Sequence, residues 1–297
     1  MIPRLLRGCA TVGGVSVPLA AFLACTAGTS VGVPTELAAW TPPTVDDTHV
    51  TAAWSADEAA DALARAAVTP LPAPGLARDR YLALMALGDA TCPGDPLQLM
   101  DTLVPLDGCT AASGVSFHGI SRWLSGSALS SAADPASFLL YGDLRIVRPD
   151  GEGFEVGGFA GLQISQSRGL VARSGEVSGS WYDAAQGEGW LGEGLSATLS
   201  LEHFGTDGAA RARVSGGVSR PSSTVYFEEL RFDAACGGHP VGAVSVRDPS
   251  GGWWRYVPDA ERCDGCGGLA FEDGPANVAC IDLRPLVEAV DLALDPS

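Results

Sequence analysis

The chain contains no lysine, and this absence sets the first limits on its function. All 18 of its basic residues are arginine, against 35 acidic residues, and the net charge is −17 at pH 7. A surface this acidic repels phosphate backbones and anionic lipid headgroups. We therefore expect no nucleic-acid partner, and a P-loop is excluded because that motif requires a lysine.

Signatures of common enzymes are also missing. The chain has neither a G-x-S-x-G elbow nor an H-E-x-x-H helix, and its four histidines do not pair at metal-ligand spacing. Ser116 and His118 are residue types used by serine hydrolases, but sequence neighbours seldom form a triad. We expect His118 to be an ordinary strand or loop residue. The sequence predicts no cofactor and no resident metal.

The N-terminus has the pattern of an export signal. Arg4 and Arg7 precede a stretch, residues 8–35, that contains no charged residue, as in a secretory signal peptide. A membrane-spanning helix needs about 20 mainly apolar residues, whereas Pro18 and several small residues interrupt this stretch. We assign residues 1–25 to a signal peptide.

Cys25 is the predicted lipidation site. It follows Ala21-Phe22-Leu23-Ala24, which resembles the lipobox of bacterial lipoproteins, although Phe22 and Leu23 depart from the usual residues. A conventional cleavage near Ala27 is the alternative, and it would remove Cys25. Attachment to a membrane would come from this lipid because the chain lacks a basic patch. Residues 26–50, which are rich in proline and small residues, are typical of a flexible tether.

Six cysteines remain after either cleavage. They are Cys92, Cys109, Cys236, Cys263, Cys266 and Cys280. An even number of cysteines in an oxidising compartment predicts three disulfides. We pair Cys92 with Cys109 because these two lie far from the others in sequence, and closing their loop stabilises the fold by roughly 3 kcal/mol.

The four C-terminal cysteines allow two chemistries. Cys263-Asp264-Gly265-Cys266 is a C-x-x-C motif, and with Cys236 and Cys280 it offers four thiolates to zinc. A zinc ribbon has a second C-x-x-C, so we favour two disulfides. A thioredoxin-like motif belongs at a helix start, whereas Gly265, Gly267 and Gly268 predict a loop.

Residues 51–297 are predicted to form one disulfide-stapled domain. Its first part, 51–135, reads as helix and loop. Ser55 and Glu58 form a capping box for a helix that ends near Val68, and a second helix over 76–87 completes a helical hairpin. His118 lies in the Ser- and Gly-rich region where the sheet is expected to begin.

The second part, 136–297, is predicted to be rich in β-structure. Short apolar and β-branched runs between glycine and proline turns predict antiparallel strands over 138–147, 154–164, 195–204, 210–218, 224–232 and 241–246. A stripe from Leu283 to Leu294 predicts a closing helix. The expected fold class is α+β, mainly β, with an open or sandwich-like antiparallel meander.

Two groups of residues are candidates for function. Trp253, Trp254 and Tyr256 follow a hairpin turn, and alternation places Trp253 on one face and the other two on the opposite face. An exposed face of this kind would stack on a glycan, whereas a buried one would pack in the core. Glu228 and Glu229 are weak catalytic candidates of the glycosidase type; the alternative is a β-bulge that leaves both acids in solvent.

The signal-like start, the tether, the Cys92 to Cys109 loop, the glycine-rich sheet and the late C-x-x-C together resemble uncharacterised exported lipoproteins of high-GC Gram-negative bacteria. This resemblance implies an outer-membrane or cell-surface lipoprotein, or otherwise a periplasmic or secreted protein. We expect a non-enzymatic binding or structural module for a glycan or protein partner. The alternative is a carboxylate-dependent hydrolase of a polysaccharide or cell-envelope substrate.

Overall fold

The structure is a computed structural model of the chain. It describes residues 50–93, 108–126, 134–151, 153–167, 170–183, 195–205, 211–220, 222–232 and 236–296. The expected signal peptide, the lipidation site at Cys25 and nearly all of the tether lie outside the described residues. They stay predictions.

In the part of the chain that the structure describes, two helices precede the sheet and one follows it. Helix α1 spans Ala56–Val68, α2 spans Pro74–Met85 and α3 spans Pro285–Ala293. The predicted capping box of α1 is present, because Ser55 Oγ accepts a hydrogen bond from the Glu58 amide and Glu58 Oε2 accepts one from the Ser55 amide. Within the described residues, every helix is too short or too polar to cross a membrane.

In the described residues, twelve strands form one antiparallel sheet in which each strand pairs with the next along the chain. The strands are β1 Cys109–Thr110, β2 Ser116–Ser125, β3 Phe138–Val147, β4 Gly153–Ser167, β5 Leu170–Asp183, β6 Leu195–Gly205, β7 Arg211–Arg220, β8 Ser223–Phe232, β9 Pro240–Arg247, β10 Trp253–Pro258, β11 Cys266–Phe271 and β12 Asn277–Cys280. The sheet is open, with β1 and β12 at its edges. This meander with flanking helices confirms the predicted α+β, mainly β class.

Six of the strands, β1, β2, β5, β10, β11 and β12, lie outside the six predicted strand ranges, and three of them illustrate why. The loop expected around Gly265, Gly267 and Gly268 is wrong in part, since β11 begins at Cys266 and pairs with both β10 and β12. Strand β5 was not predicted, and β2 lies inside the part assigned to helix and loop. Glycine has no side chain to contribute to an alternating pattern, so these glycine-containing strands carry a weak sequence signal.

Alternation along the strands gives the sheet two unlike faces. The inner face consists of apolar side chains such as Leu140, Ala160, Val177 and Val214, each exposed by no more than 1%. The outer face carries the residues between them, many of which are serine, glycine or charged. The hydrophobic core therefore lies on one side of the sheet.

The three helices cover the inner face. Helix α2 packs on β4 and β5, α3 packs on β6 and β7, and α1 packs against α3 and β9. Tyr81 of α2 is fully buried, and its hydroxyl is 3.0 Å from Ser121 Oγ on the inner face of β2. The two N-terminal helices thus have the sheet as their main partner, and each covers a different part of it.

Strands β4 and β5 approach closely where two glycines face each other. Gly158 lies opposite Gly179 in the register. Gly179 has a φ of +96°, and a Cβ atom there would lie 2.0 Å from the Gly157 carbonyl oxygen. Only glycine fits this position, because a side chain would collide with the backbone of the neighbouring strand.

Asp248 joins the start of the described chain to the β9–β10 hairpin. Its Oδ1 accepts hydrogen bonds from the amides of Ala53 at 3.0 Å and Ser250 at 2.7 Å. Its Oδ2 accepts from the Trp54 amide at 2.9 Å and from Trp254 Nε1 at 3.2 Å. A single carboxylate, 3% exposed, therefore positions the segment that leads into α1.

The three disulfides confirm the predicted use of the six cysteines. Cys92 pairs with Cys109, as the sequence indicated. The other two bonds join Cys236 to Cys263 and Cys266 to Cys280. The two-disulfide alternative is therefore the one present. Disulfides persist in oxidising compartments, so they indicate a location outside the cytoplasm.

Candidate functional site

The outer face of β8, β9 and β10 brings most of the sequence-selected residues into one surface, which we call the β8–β10 face. Tyr226 lies opposite Ser245, and Ser245 lies opposite Arg255. Ser245 and its neighbour Ala243 are buried at 6% and 2% exposure. Trp253 lies two residues before Arg255 and shares its face. The surface thus has a floor of small residues with aromatic and charged side chains around it.

The three aromatic candidates separate as strand alternation predicts. Trp254 and Tyr256 point into the core, where they are exposed by 5% and 0%. Trp254 Nε1 donates to Asp248, and the Tyr256 hydroxyl donates to the Gly265 carbonyl at 2.7 Å. These two rings are core residues and do not present a flat surface to a ligand, which corrects the hypothesis for them. Trp253 is half-buried on the β8–β10 face, and its role in binding stays a prediction.

Glu228 is held by Arg255 in a two-point ion pair. Arg255 Nε donates to Glu228 Oε1 at 2.8 Å, and Nη2 donates to Oε2 at 2.7 Å. These hydrogen bonds hold the pKa of Glu228 below its usual range, although partial burial opposes them. A general acid needs the opposite shift. The geometry therefore does not support Glu228 as a proton donor.

Glu229 forms the predicted β-bulge. The pairing of β8 with β9 shifts between Glu228 and Arg231, and Glu229 has a φ of +45°. The bulge lets Phe227 and Leu230 both point into the core, at 2% and 0% exposure. Glu229 itself is exposed to solvent, so its position follows from the requirements of packing.

Ser116 and His118 lie on the outer face near the first edge of the sheet. Ser116 Oγ is 3.0 Å from Thr110 Oγ1, and His118 is exposed and packs beside Gly108. The serine is thus engaged with a threonine hydroxyl on the neighbouring strand. Their placement fits the ordinary strand role that the sequence favoured for His118.

His203 is a partly buried histidine on the inner face, where α3 meets β5 and β6. Its Nδ1 is 3.4 Å from Arg173 Nη2, and its Nε2 is 3.7 Å from Asp291 Oδ1. Arg173 also pairs with Asp291. Burial lowers the pKa of His203; the Asp291 charge opposes this shift and the Arg173 charge adds to it. This cluster links the closing helix to the sheet.

Glu176 is a site candidate that the sequence did not reveal. It lies on the outer face of β5, opposite Ser200 of β6, and burial raises its pKa. Glu202 lies two residues along β6 on the same face, 3.5 Å from Arg213 Nη1. Diagonal neighbours of this kind have Cα atoms about 7–8 Å apart. A prediction that included β5 as a strand would have placed Glu176 and Glu202 on the same face.

The cysteines offer no open metal site in the oxidised protein. Among the described residues, no group of three or more His, Cys, Asp or Glu side chains is arranged to hold a metal ion. Cys263 and Cys266 belong to two different disulfides, so the C-x-x-C motif does not close on itself as a redox dithiol would.

Comparisons of the chain with protein-family models, with curated proteins and with solved structures each found no match. The function is therefore inferred from the geometry of the β8–β10 face and of Glu176.

Proposed function

We propose that this chain is an exported, lipid-anchored protein of the outer membrane or cell surface that binds a partner without catalysing a reaction. The N-terminal pattern and Cys25 support export and anchoring. The three disulfides fit that location. The lipid would hold the protein at the membrane, since a net charge of −17 gives no electrostatic attraction to anionic headgroups.

The observation that carries the binding proposal is the arrangement of the two faces of the sheet. The helices α1, α2 and α3 lie on the inner face, where the core is buried. The β8–β10 face, in contrast, lies on the side of the sheet opposite to these helices. It combines Trp253, Tyr226 and the Arg255–Glu228 pair over small buried residues.

A glycan is the ligand class that this chemistry fits best. Binding sites for small ligands combine aromatic surface with a few fixed polar groups that set orientation. The ring of Trp253 offers the aromatic surface, while the planar Arg255 and Glu228 groups offer donors and acceptors in a fixed geometry. An uncharged or basic glycan would avoid repulsion from the acidic protein.

The test is glycan binding by the purified protein and by a Trp253→Ala variant. We expect the substitution to weaken binding at least tenfold, with an unchanged thermal midpoint, because Trp253 lies outside the core. Tyr141→Ala is the matched control. Tyr141 of β3 is another half-buried aromatic residue on the outer face, and it lies beside Arg122 of β2. Equal loss in both variants, or binding only to proteins, would contradict the glycan assignment.

A second candidate function is hydrolysis of an envelope polysaccharide, which Glu176 favours. Its raised pKa suits a general acid, and Glu202 lies on the same face at a spacing compatible with the roughly 5–10 Å between glycosidase carboxyls. This candidate predicts release of reducing ends from cell-envelope polysaccharide, abolished in Glu176→Gln and retained in Glu155→Gln, an exposed outer-face control. Glycan binding without any turnover would exclude it.

A further inference from the structure

Two pairs of metal-ligand residues share one spacing near the end of the sheet. Cys236-Gly237-Gly238-His239 precedes β9, and Cys263-Asp264-Gly265-Cys266 precedes and begins β11. Each pair brackets a tight turn. His239 donates its amide proton to the Cys236 carbonyl at 3.0 Å, and the Cys266 amide donates to Asp264 Oδ1 at 2.9 Å. Two cysteines separated by two residues have a ligand spacing of structural zinc sites, and Cys236 and His239 have the same separation.

The fold brings these two turns into contact. The disulfide between Cys236 and Cys263 joins the first residue of one turn to the first residue of the other, with 4.9 Å between their Cα atoms. The His239 ring lies against the second turn: a Cβ atom at Gly265 would be 2.7 Å from His239 Cε1 and 2.8 Å from Nδ1. Glycine at 265 therefore makes room for the imidazole beside Cys263 and Cys266.

His239 Nδ1 is buried without a hydrogen-bond partner among the described residues. Most buried polar side-chain atoms are hydrogen-bonded, so an exception calls for an explanation. When the ring proton is on Nε2, Nδ1 carries an unshared lone pair, which is the group that binds a metal ion. Here it lies at the turn whose two ends are cysteines.

We propose that the reduced protein binds one Zn²⁺ ion through Cys236, His239, Cys263 and Cys266. The disulfides and the metal site would be alternative states of the same thiols, and the free thiols also exist in the chain before its disulfides form. Zinc–sulfur bonds of about 2.3 Å in a tetrahedral site hold sulfur atoms about 3.8 Å apart. The Cys236–Cys263 bond already holds two of the three sulfur atoms together.

Three molecules of a phosphine reductant and three of water convert the three disulfides to six thiols and three phosphine oxides. Three of the thiols lose their protons to solvent when they bind Zn²⁺, and His239 binds as the neutral imidazole. Cys280 remains a free thiol on the edge strand β12, where it is exposed.

The test is titration of the full chain, reduced with a phosphine, with Co²⁺ and then Zn²⁺. We expect one equivalent of Co²⁺ to give thiolate-to-metal charge transfer and the strong visible band of a tetrahedral site, and Zn²⁺ to displace it. His239→Ala should weaken Co²⁺ binding at least tenfold and change the visible band. His239→Cys should keep one equivalent bound with a band shifted by the fourth sulfur ligand.

Controls separate this ligand set from other thiols of the chain. Cys280→Ser and Cys92→Ser each leave the predicted four ligands intact, so both should bind Co²⁺ with the affinity of the reduced parent chain. Loss of binding in either control, unchanged affinity in His239→Ala, or octahedral weakly absorbing Co²⁺ in the parent would overturn the proposal. Circular dichroism of each reduced variant shows whether it remains folded. The outcome is independent of glycan binding at the β8–β10 face.

Discussion

Replacing Asp248 by asparagine should release the segment that leads into α1. Both carboxylate oxygens accept two hydrogen bonds, so one pair of donors must face the amide NH₂ group in the variant. Each buried donor left without an acceptor costs roughly 1–3 kcal/mol. We expect a loss of about 2–4 kcal/mol in the free energy of unfolding, equivalent to roughly 5–12 °C in Tm for a domain of this size.

The assay is urea denaturation at pH 7 and again at low pH. Burial raises the pKa of Asp248, but its hydrogen bonds to Ser250, Trp54 and Ala53 outweigh burial and bring the pKa to about 2. The contribution of Asp248 is therefore fully present above about pH 4 and is lost as the pH falls through 2. The difference in the free energy of unfolding between the parent protein and Asp248→Asn should become smaller over that range.

A matched control and a clear negative result define this test. Asp273→Asn removes a carboxylate from an exposed loop and should change stability by less than about 0.5 kcal/mol. If Asp248→Asn behaves like this control, the four hydrogen bonds do not hold the N-terminal segment, and the account of this contact is wrong.

Two further predictions test the inner face and the strand contacts. The pKa of His203 is lowered from 6.5 in the folded protein, so the unfolded chain binds a proton more readily and stability should fall as the pH drops below 6.5. His203→Gln should reduce the difference between the Tm values measured at pH 7.5 and 5.5. The same difference in both proteins would count against this prediction. Gly179→Ala should cost more than about 3 kcal/mol in urea denaturation because its Cβ would meet the Gly157 carbonyl. Gly157→Ala is its control, with no atom within 4 Å of the added Cβ; similar losses in the two variants would refute the proposed close approach.

Periodic side chains explain what the sequence could predict about the fold. The capping box at Ser55 and Glu58 fixed the start of α1, and strand 138–147 has the predicted bounds. The bulge at Glu229 was foreseen because Val225 and Phe227 are out of phase with Leu230 and Phe232. Trp253 was separated from Trp254 and Tyr256 by the same alternation.

Long-range contacts explain what the sequence could not predict. Nothing local shows that Asp248 would meet Ala53 and Trp54, almost 200 positions away in sequence. The pairing of Glu228 with Arg255 likewise depends on β9 lying between their strands. Glu176 acquires its environment from neighbouring strands, which only the completed sheet brings together. The sequence therefore identified some residues of the candidate site but not the residues that they contact.

The positions of the disulfides follow from the weakness of edge strands. An edge strand is hydrogen-bonded on one side only and is open to pairing with another chain. Here β1 has two residues and begins with Cys109, which is bonded to Cys92. Strand β12 has four residues and ends with Cys280, which is bonded to Cys266. Val278 of β12 is 81% exposed, so burial contributes little to holding that strand. Covalent bonds thus stabilise the two strands for which the core does least, and reduction should loosen the edges of the sheet before its centre.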